Sequence, residues 1–193
     1  MTDPEKPIAL VDVDGVLARF LDAHLAAVHA VTGRRFFPED FPGHETFDII
    51  GEAYRDDIEQ EWKARGFCES LRPYPGARLG IATLRDVARV RFVTAPVHGP
   101  HWHWERTRWL ERHVGARPRD IIFAHDKRVI RGDVFVDDNP DHIDSWCEAN
   151  PSGRAILWTQ PYNRSAKLPR NARRSCDWAD VVGAARDAAA ARP

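Results

Sequence analysis

The sequence predicts an α/β fold: a parallel sheet flanked by helices, with a small helical cap inserted after the first strand. Three observations carry this prediction. Short apolar runs alternate with segments of helical periodicity, the pattern of parallel strands joined by right-handed crossovers. The runs are continuously apolar rather than alternating, as strands covered on both faces must be. The interval from about Arg19 to Pro75 carries no strand pattern and reads as an insertion. With 193 residues, the chain is expected to form a core from 1–18 and 76–193 and a cap from 19–75.

Ile8-Ala9-Leu10-Val11 is a buried strand running into the turn Asp12-Val13-Asp14-Gly15. Leu17 to Val31 repeats apolar residues at helical spacing, and Gly33 closes it. Phe36 to Ile50 is irregular, Glu52 to Arg65 is helical again, and Gly66 ends that helix. Pro73-Tyr74-Pro75-Gly76 is a linker. Beyond it the expected order is helix Ala77–Val87, strand Val90–Ala95, helix Trp102–Val114 and strand Ile121–Ala124. Strand Val134–Val136, helix Pro140–Ala149, strand Ala155–Trp158 and helix Trp178–Ala191 complete it. Arg164 to Arg174 is basic without interleaved aromatics and reads as a solvated loop.

Composition excludes several classes. Hydrophobic residues make up 43% and charged residues 30%, which rules out a wholly disordered chain. Lysine and arginine number 28 against 29 acids, so no overall field draws the chain to nucleic acid or membrane. No apolar run approaches the roughly 18 residues of a membrane span. Met1 to Pro7 is polar and lacks the features of a signal peptide. Cys68, Cys147 and Cys176 are odd in number and far apart, which fits a reducing cytoplasm better than a disulfide framework.

Open α/β sheets bind ligands at the carboxyl ends of their strands. Asp12 and Asp14 close the first strand, Thr94 the second, and Asp137 with Asp138 the fourth; Lys127 follows the third. Crowded carboxylates repel one another unless a cation compensates. A hard divalent ion, Mg²⁺ above all, does so through oxygen ligands, and a lysine and a hydroxyl beside it suit phosphoryl oxygens. The constellation therefore reads as phosphoryl transfer. One aspartate serves as nucleophile, and a second protonates the leaving alkoxide and then activates water.

Blander readings stand beside each residue. Asp12 and Asp14 suit a capped turn, Thr94 a strand-end hydroxyl, and Lys127 a solvated charge with Arg128 as the alternative site cation. Asp137 and Asp138 suit a helix cap, a task Asp138 can share with a site role. His98, His101 and His103 fit no zinc spacing and read as a solvated loop and helix start. Trp102, Trp104 and Trp109 read as helix packing, and Cys68 as a buried thiol.

The four motifs, Asp12-Val13-Asp14-Gly15-Val16, Phe92-Val93-Thr94, Lys127 and Asp137-Asp138, resemble those of the haloacid dehalogenase phosphatase superfamily. Longer stretches are similar to the 5′(3′)-deoxyribonucleotidases. These are Asp12 to Phe20, Gly66-Phe67, Leu71 to Ala77, Thr94-Ala95-Pro96, Asp126-Lys127 and Asp137 to Asp141. The resemblance implies a Rossmann-like core and a Mg²⁺-dependent phosphomonoesterase acting on nucleoside monophosphates through an aspartyl-phosphate. It implies Asp12 as nucleophile and metal ligand, and Asp14 as general acid–base whose backbone carbonyl also binds metal. Thr94, Ala95 and Lys127 would surround the phosphate, with Asp137 and Asp138 completing the metal site. Phe20, Phe47 and Phe67 would meet the nucleoside, with Phe20 and Phe47 equally placed to be cap core. Two positions depart from the family pattern: Ala95 where serine is usual, and Asn139 where a basic residue is usual. They leave room for another small phosphomonoester, such as a sugar phosphate. A catalytically silent phosphate-binding module is disfavoured because every motif acid is present. Neither a nucleic-acid nor a membrane partner is expected, and a homodimer is left open.

Overall fold

The computed structural model describes residues 6–192, so most of the polar N-terminal stretch read above lies outside the described residues. Among these, six strands form one parallel sheet: β1 (Ile8–Asp12), β2 (Arg89–Thr94), β3 (Ile121–Phe123), β4 (Val134–Asp137), β5 (Arg154–Trp158) and β6 (Ala172–Ser175). Their order is β3-β2-β1-β4-β5-β6, a doubly wound Rossmann-like arrangement with β1 at the centre. The chain steps outward from β1 in both directions, which opens a crevice at the carboxyl end of β1 and its neighbours.

Register decides what meets in that crevice. Val11 pairs with Val136, so the following residues, Asp12 and Asp137, come level at adjacent strand ends. Asp12 pairs with Val93, which places Thr94 one residue beyond. The apolar strand residues Val11, Phe92, Phe135, Val136 and Ile156 are fully buried, consistent with helices on both faces.

Strand β6 corrects the reading of residues 164–174 as loop throughout. Ala172–Ser175 pairs in parallel with β5, Ala155 opposite Ala172 and Trp158 opposite Ser175. The stretch has no apolar run because it is an edge strand whose arginines bond outside the ladder. Arg174 donates to the backbone carbonyls of Asn163 and Ala166 at 2.8 and 2.9 Å. Charged side chains on an edge also block pairing with another sheet.

The helices among the described residues are α1 (Phe20–Thr32), α2 (Phe47–Ile50), α3 (Arg55–Lys63), α4 (Phe67–Ser70), α5 (Ala77–Val87), α6 (Trp102–Val114), α7 (Pro140–Ala149) and α8 (Trp178–Ala190). Helices α5, α6 and α7 have the predicted bounds. Helix α1 starts three residues later than expected, because 13–18 fold into a tight turn held by Leu17 and Ala18 N–H bonds to the Val13 carbonyl. Gly66, expected to end a helix, instead precedes α4 with a φ of +89°.

Residues of α1 to α3, with Phe41, bury an apolar cluster that includes Val28, Phe47, Ile50 and Ile58 and is joined by Tyr162 from the segment after β5. The chain enters and leaves this helical stretch side by side: Arg19 N–H bonds the Arg72 carbonyl at 2.9 Å, and Tyr74 N–H the Leu17 carbonyl at 2.8 Å. Helix α6 then ties down the returning segment. Trp109 Nε1 donates to the Leu71 carbonyl at 2.6 Å, and Glu105 accepts from Gly66 N–H at 2.6 Å.

Candidate active site

At the carboxyl ends of β1 and β4, Asp12 and Asp137 flank Lys127. The lysine ammonium lies 2.7 Å from Asp12 Oδ1 and 2.7 Å from Asp137 Oδ2, and all three side chains are buried. Lys127 reaches inward from the short 3-10 turn after β3, whereas its neighbour Arg128 is exposed and pairs with Asp126. Asp138 joins the group: Asp12, Asp137 and Asp138 offer carboxylate oxygens all within 4.8 Å of one another. Among the described residues, this is the group able to hold a metal ion.

Three carboxylates therefore share one ammonium. Burial and the neighbouring Asp137 push Asp12 up to about 7, against the pull of Lys127. Burial with Asp137 and Asp12 nearby raises Asp138 well above the ordinary carboxylate range. Asp137 is buried too, but Lys127 and His142 bring it down to about 2. Burial opposes the charge on Lys127, and the two flanking carboxylates outweigh burial and raise it. The lysine is firmly charged while the acids remain short of positive charge. A hard divalent cation with oxygen ligands fits such a donor set.

The chain positions these acids by specific contacts. The Tyr162 hydroxyl donates to Asp138 Oδ2, and Asn163 Nδ2 donates to the Asp138 carbonyl at 2.7 Å. His142 Nδ1 lies 3.2 Å from Asp137 Oδ2. Asn139, not Asp138, caps α7: its Oδ1 accepts from Asp141 N–H at 2.9 Å, which leaves the Asp138 carboxylate to the cluster. Gly15 has a φ of +74°, and a Cβ there would fall 2.1 Å from Asp138 Oδ2. Asp14 lies in the same turn, one quarter exposed, with both oxygens held by Arg106 at 2.8 and 2.7 Å.

Above the acids opens a cavity of about 300 Å³. Asp12, Asp14, Ala95, Lys127, Asp138 and Asn139 line it, with His44, Glu45 and Arg55 as further polar groups. Phe20, His24, Phe47, Trp62 and Trp102 form an aromatic wall. Within that wall the Phe20 and His24 rings each lie 5.3 Å from Trp62. His24 is 2% exposed, shares a 2.9 Å hydrogen bond with Thr46 Oγ1, and is kept neutral by burial, which brings it down to about 4. Three wall nitrogens, His24 Nδ1, Trp62 Nε1 and Trp102 Nε1, are buried without a hydrogen-bond partner.

The predicted residues are thus brought together unevenly. Asp12, Asp14, Lys127, Asp137 and Asp138 converge. Thr94, at the β2 terminus, is fully buried, its hydroxyl without a partner, and it does not line the cavity, whereas the next residue, Ala95, does. Phe20 and Phe47 line the cavity, but Phe67 stands behind it, its ring 6.1 Å from Phe20 and 6.3 Å from Trp102. Trp102, read as helix packing, does pack and also faces the cavity; Trp109 packs only, and Trp104 is 58% exposed. His98 and His103 are exposed, the latter against Phe123, and Cys68 is a buried thiol that burial pushes up to about 12. His24, Trp62, Arg106 and Tyr162 escaped the sequence reading. No motif marks them, and each reaches the site from a separate element.

The chain is similar to known proteins along most of its length. The family model described as 5′ nucleotidase, deoxy (pyrimidine), cytosolic type C, matches residues 6–188. The Homo sapiens cytosolic-type 5′(3′)-deoxyribonucleotidase is 33% identical over 185 residues, 89% of each chain. The mitochondrial type from Mus musculus is 30% identical over 180 residues, 89% of this chain and 81% of that protein. Among solved structures, a haloacid dehalogenase-like family hydrolase from Xanthomonas campestris superimposes with a TM-score of 0.60 at 15% identity. That match covers 98% of this chain and 94% of the other, a likeness of fold.

Proposed function

The chain belongs to the deoxy (pyrimidine), cytosolic type C 5′-nucleotidase family, and on that premise we propose how its residues carry out the reaction. It is a nucleotidase-type phosphatase on a haloacid dehalogenase core. The substrate we assign is a nucleoside 5′-monophosphate, phosphate toward Asp12 and base against the aromatic wall. One observation carries the assignment: a single cavity is lined both by members of the acid–lysine cluster and by aromatic side chains. A flat heterocycle suits such a wall, and the unpartnered His24, Trp62 and Trp102 nitrogens suit its polar edge.

Asp12 Oδ attacks phosphorus while the bond to the 5′ oxygen breaks, and the phosphoryl group passes to Asp12. Asp14 gives its proton to the departing alkoxide. Asp14 then takes a proton from water as that water attacks the aspartyl-phosphate, and the Asp12–phosphorus bond breaks to release phosphate. Lys127 and the Thr94 hydroxyl stabilise charge on the phosphoryl oxygens. Asp12, Asp137, Asp138 and the Asp14 backbone carbonyl would hold Mg²⁺, which when bound neutralises charge on the phosphoryl group. Residues 19–75 act as a cap that excludes water and selects the leaving group, over a core of 1–18 and 76–193. No helix of the described residues is long and apolar enough to cross a membrane, and we place the enzyme in the cytoplasm as its human relative's name suggests.

Ala95 and Asn139 give the phosphate end no further hydroxyl or cation, which favours a second reading, another small phosphomonoester such as a sugar phosphate. A panel of dUMP, dTMP, UMP, ribose 5-phosphate and p-nitrophenyl phosphate with Mg²⁺ separates the two. Nucleotides are expected to lead in kcat/KM. Failure to turn over any of them overturns the assignment.

A further inference from the structure

Arg106 lies on α6, 92 residues from Asp14 in sequence, and is completely buried. Its Nη2 donates to both Asp14 oxygens, at 2.8 and 2.7 Å. Its guanidinium carbon sits over the Trp102 and Trp109 rings, 4.8 and 5.9 Å from their centroids. Among the described residues, Nε and Nη1 have no hydrogen-bond partner. A buried arginine that serves packing spends its five donors on carbonyls and carboxylates, because each unpaired one costs about 1–3 kcal/mol. Here two nitrogens go unpaired and all the hydrogen bonding goes to one carboxylate. That carboxylate lines the cavity, one quarter exposed, and Arg106 holds both of its oxygens.

We propose that Arg106 is a positioning residue that clamps Asp14: one carboxyl oxygen stays on Arg106 Nη2 while the other, carrying the proton, turns to the leaving oxygen and later regains a proton from water. The inference rests on the acid–base role assigned to Asp14. In the first half-reaction the proton leaves Asp14 for the 5′ oxygen as the oxygen–phosphorus bond breaks. In the second it returns from water as the water oxygen bonds phosphorus and the bond to Asp12 breaks. A nucleoside alkoxide needs that first proton, whereas p-nitrophenolate leaves without one. Loss of the clamp must therefore slow both halves with a nucleotide but only the second half with p-nitrophenyl phosphate.

The test is rapid-mixing kinetics on the full chain with Mg²⁺, comparing the wild type with Arg106→Met and Arg106→Lys. For Arg106→Met, kcat on dUMP is expected to fall about 10²-fold with KM within about threefold, the lower range of general acid–base contributions. With p-nitrophenyl phosphate the same variant should release about one p-nitrophenolate per site in a fast burst, followed by a slow steady state. Arg106→Lys, which keeps a donor and a charge, should recover part of the dUMP rate and show a weaker version of the same split. Should Arg106→Met fail to fold, Arg106→Lys alone decides by that split. Equal losses on both substrates without a burst, or no loss at all, overturn the proposal. If the wild type hydrolyses p-nitrophenyl phosphate but no nucleotide, the substrate assignment fails while the burst still decides the role of Arg106.

Discussion

His24 should make this protein lose stability in acid, and replacing it should remove that loss. The imidazole is 2% exposed among Phe20, Phe47 and Trp62, and burial lowers it from 6.5 to about 4. Because the folded value is the lower one, the unfolded chain takes up the proton first as pH falls. The contribution of neutral His24 is fully present above 6.5, declines from there toward 4, and is exhausted below it. The separation of 6.5 and about 4 corresponds to roughly 3 kcal/mol in total at 1.36 kcal/mol per pH unit, of which about 2 kcal/mol is lost between pH 7 and pH 4.5. His24→Phe keeps an aromatic ring in the wall and removes the titrating group. Urea unfolding of metal-free wild type and variant at both pH values gives four free energies. The difference between pH 7 and pH 4.5 should be about 2 kcal/mol smaller in the variant, or roughly 4–8 °C in Tm for a chain of this size. Taking the difference within each protein cancels the lost Thr46 hydrogen bond. Identical pH dependence in the two proteins would show that His24 is not held neutral and sink the reasoning.

The acid cluster makes further predictions. Lys127→Met leaves three buried carboxylates without their ammonium, so it should destabilise the metal-free protein by about 3–5 kcal/mol in denaturant unfolding. Saturating Mg²⁺ should recover part of that loss. Tyr162→Phe removes the hydroxyl that donates to Asp138, and Mg²⁺ affinity measured by calorimetry should weaken about 10–100-fold. Gly15→Ala forces a methyl to 2.1 Å from Asp138 Oδ2 at a φ of +74°, so it should both destabilise the fold and cut kcat, whereas Gly33→Ala, with open space around it, should cost stability alone.

The strand-end acids were legible because each stands directly after an apolar run, and a parallel sheet brings such ends to one edge. Helices α5 to α7 were legible from their periodicity and boundary residues, such as Pro140 opening α7. Strand β6 was not, because an edge strand of arginines pairs through its backbone and carries no apolar signature. Phe67 lies outside the cavity lining, beside Phe20 and Trp102, because proximity to the cap in sequence does not say which ring forms the wall and which stands behind it.

Local chemistry along the chain was therefore enough to select the fold class and the acids and lysine that the fold brings together, since each of those depends on residue type and position relative to a strand end. Tertiary structure alone decided which two acids Lys127 bridges, that Tyr162 holds Asp138, that Arg106 grips Asp14 across 92 residues, and that burial lowers the pKa of His24. Those are properties of pairs and of burial, and neither distance between remote side chains nor exclusion of water is encoded in any short stretch of sequence.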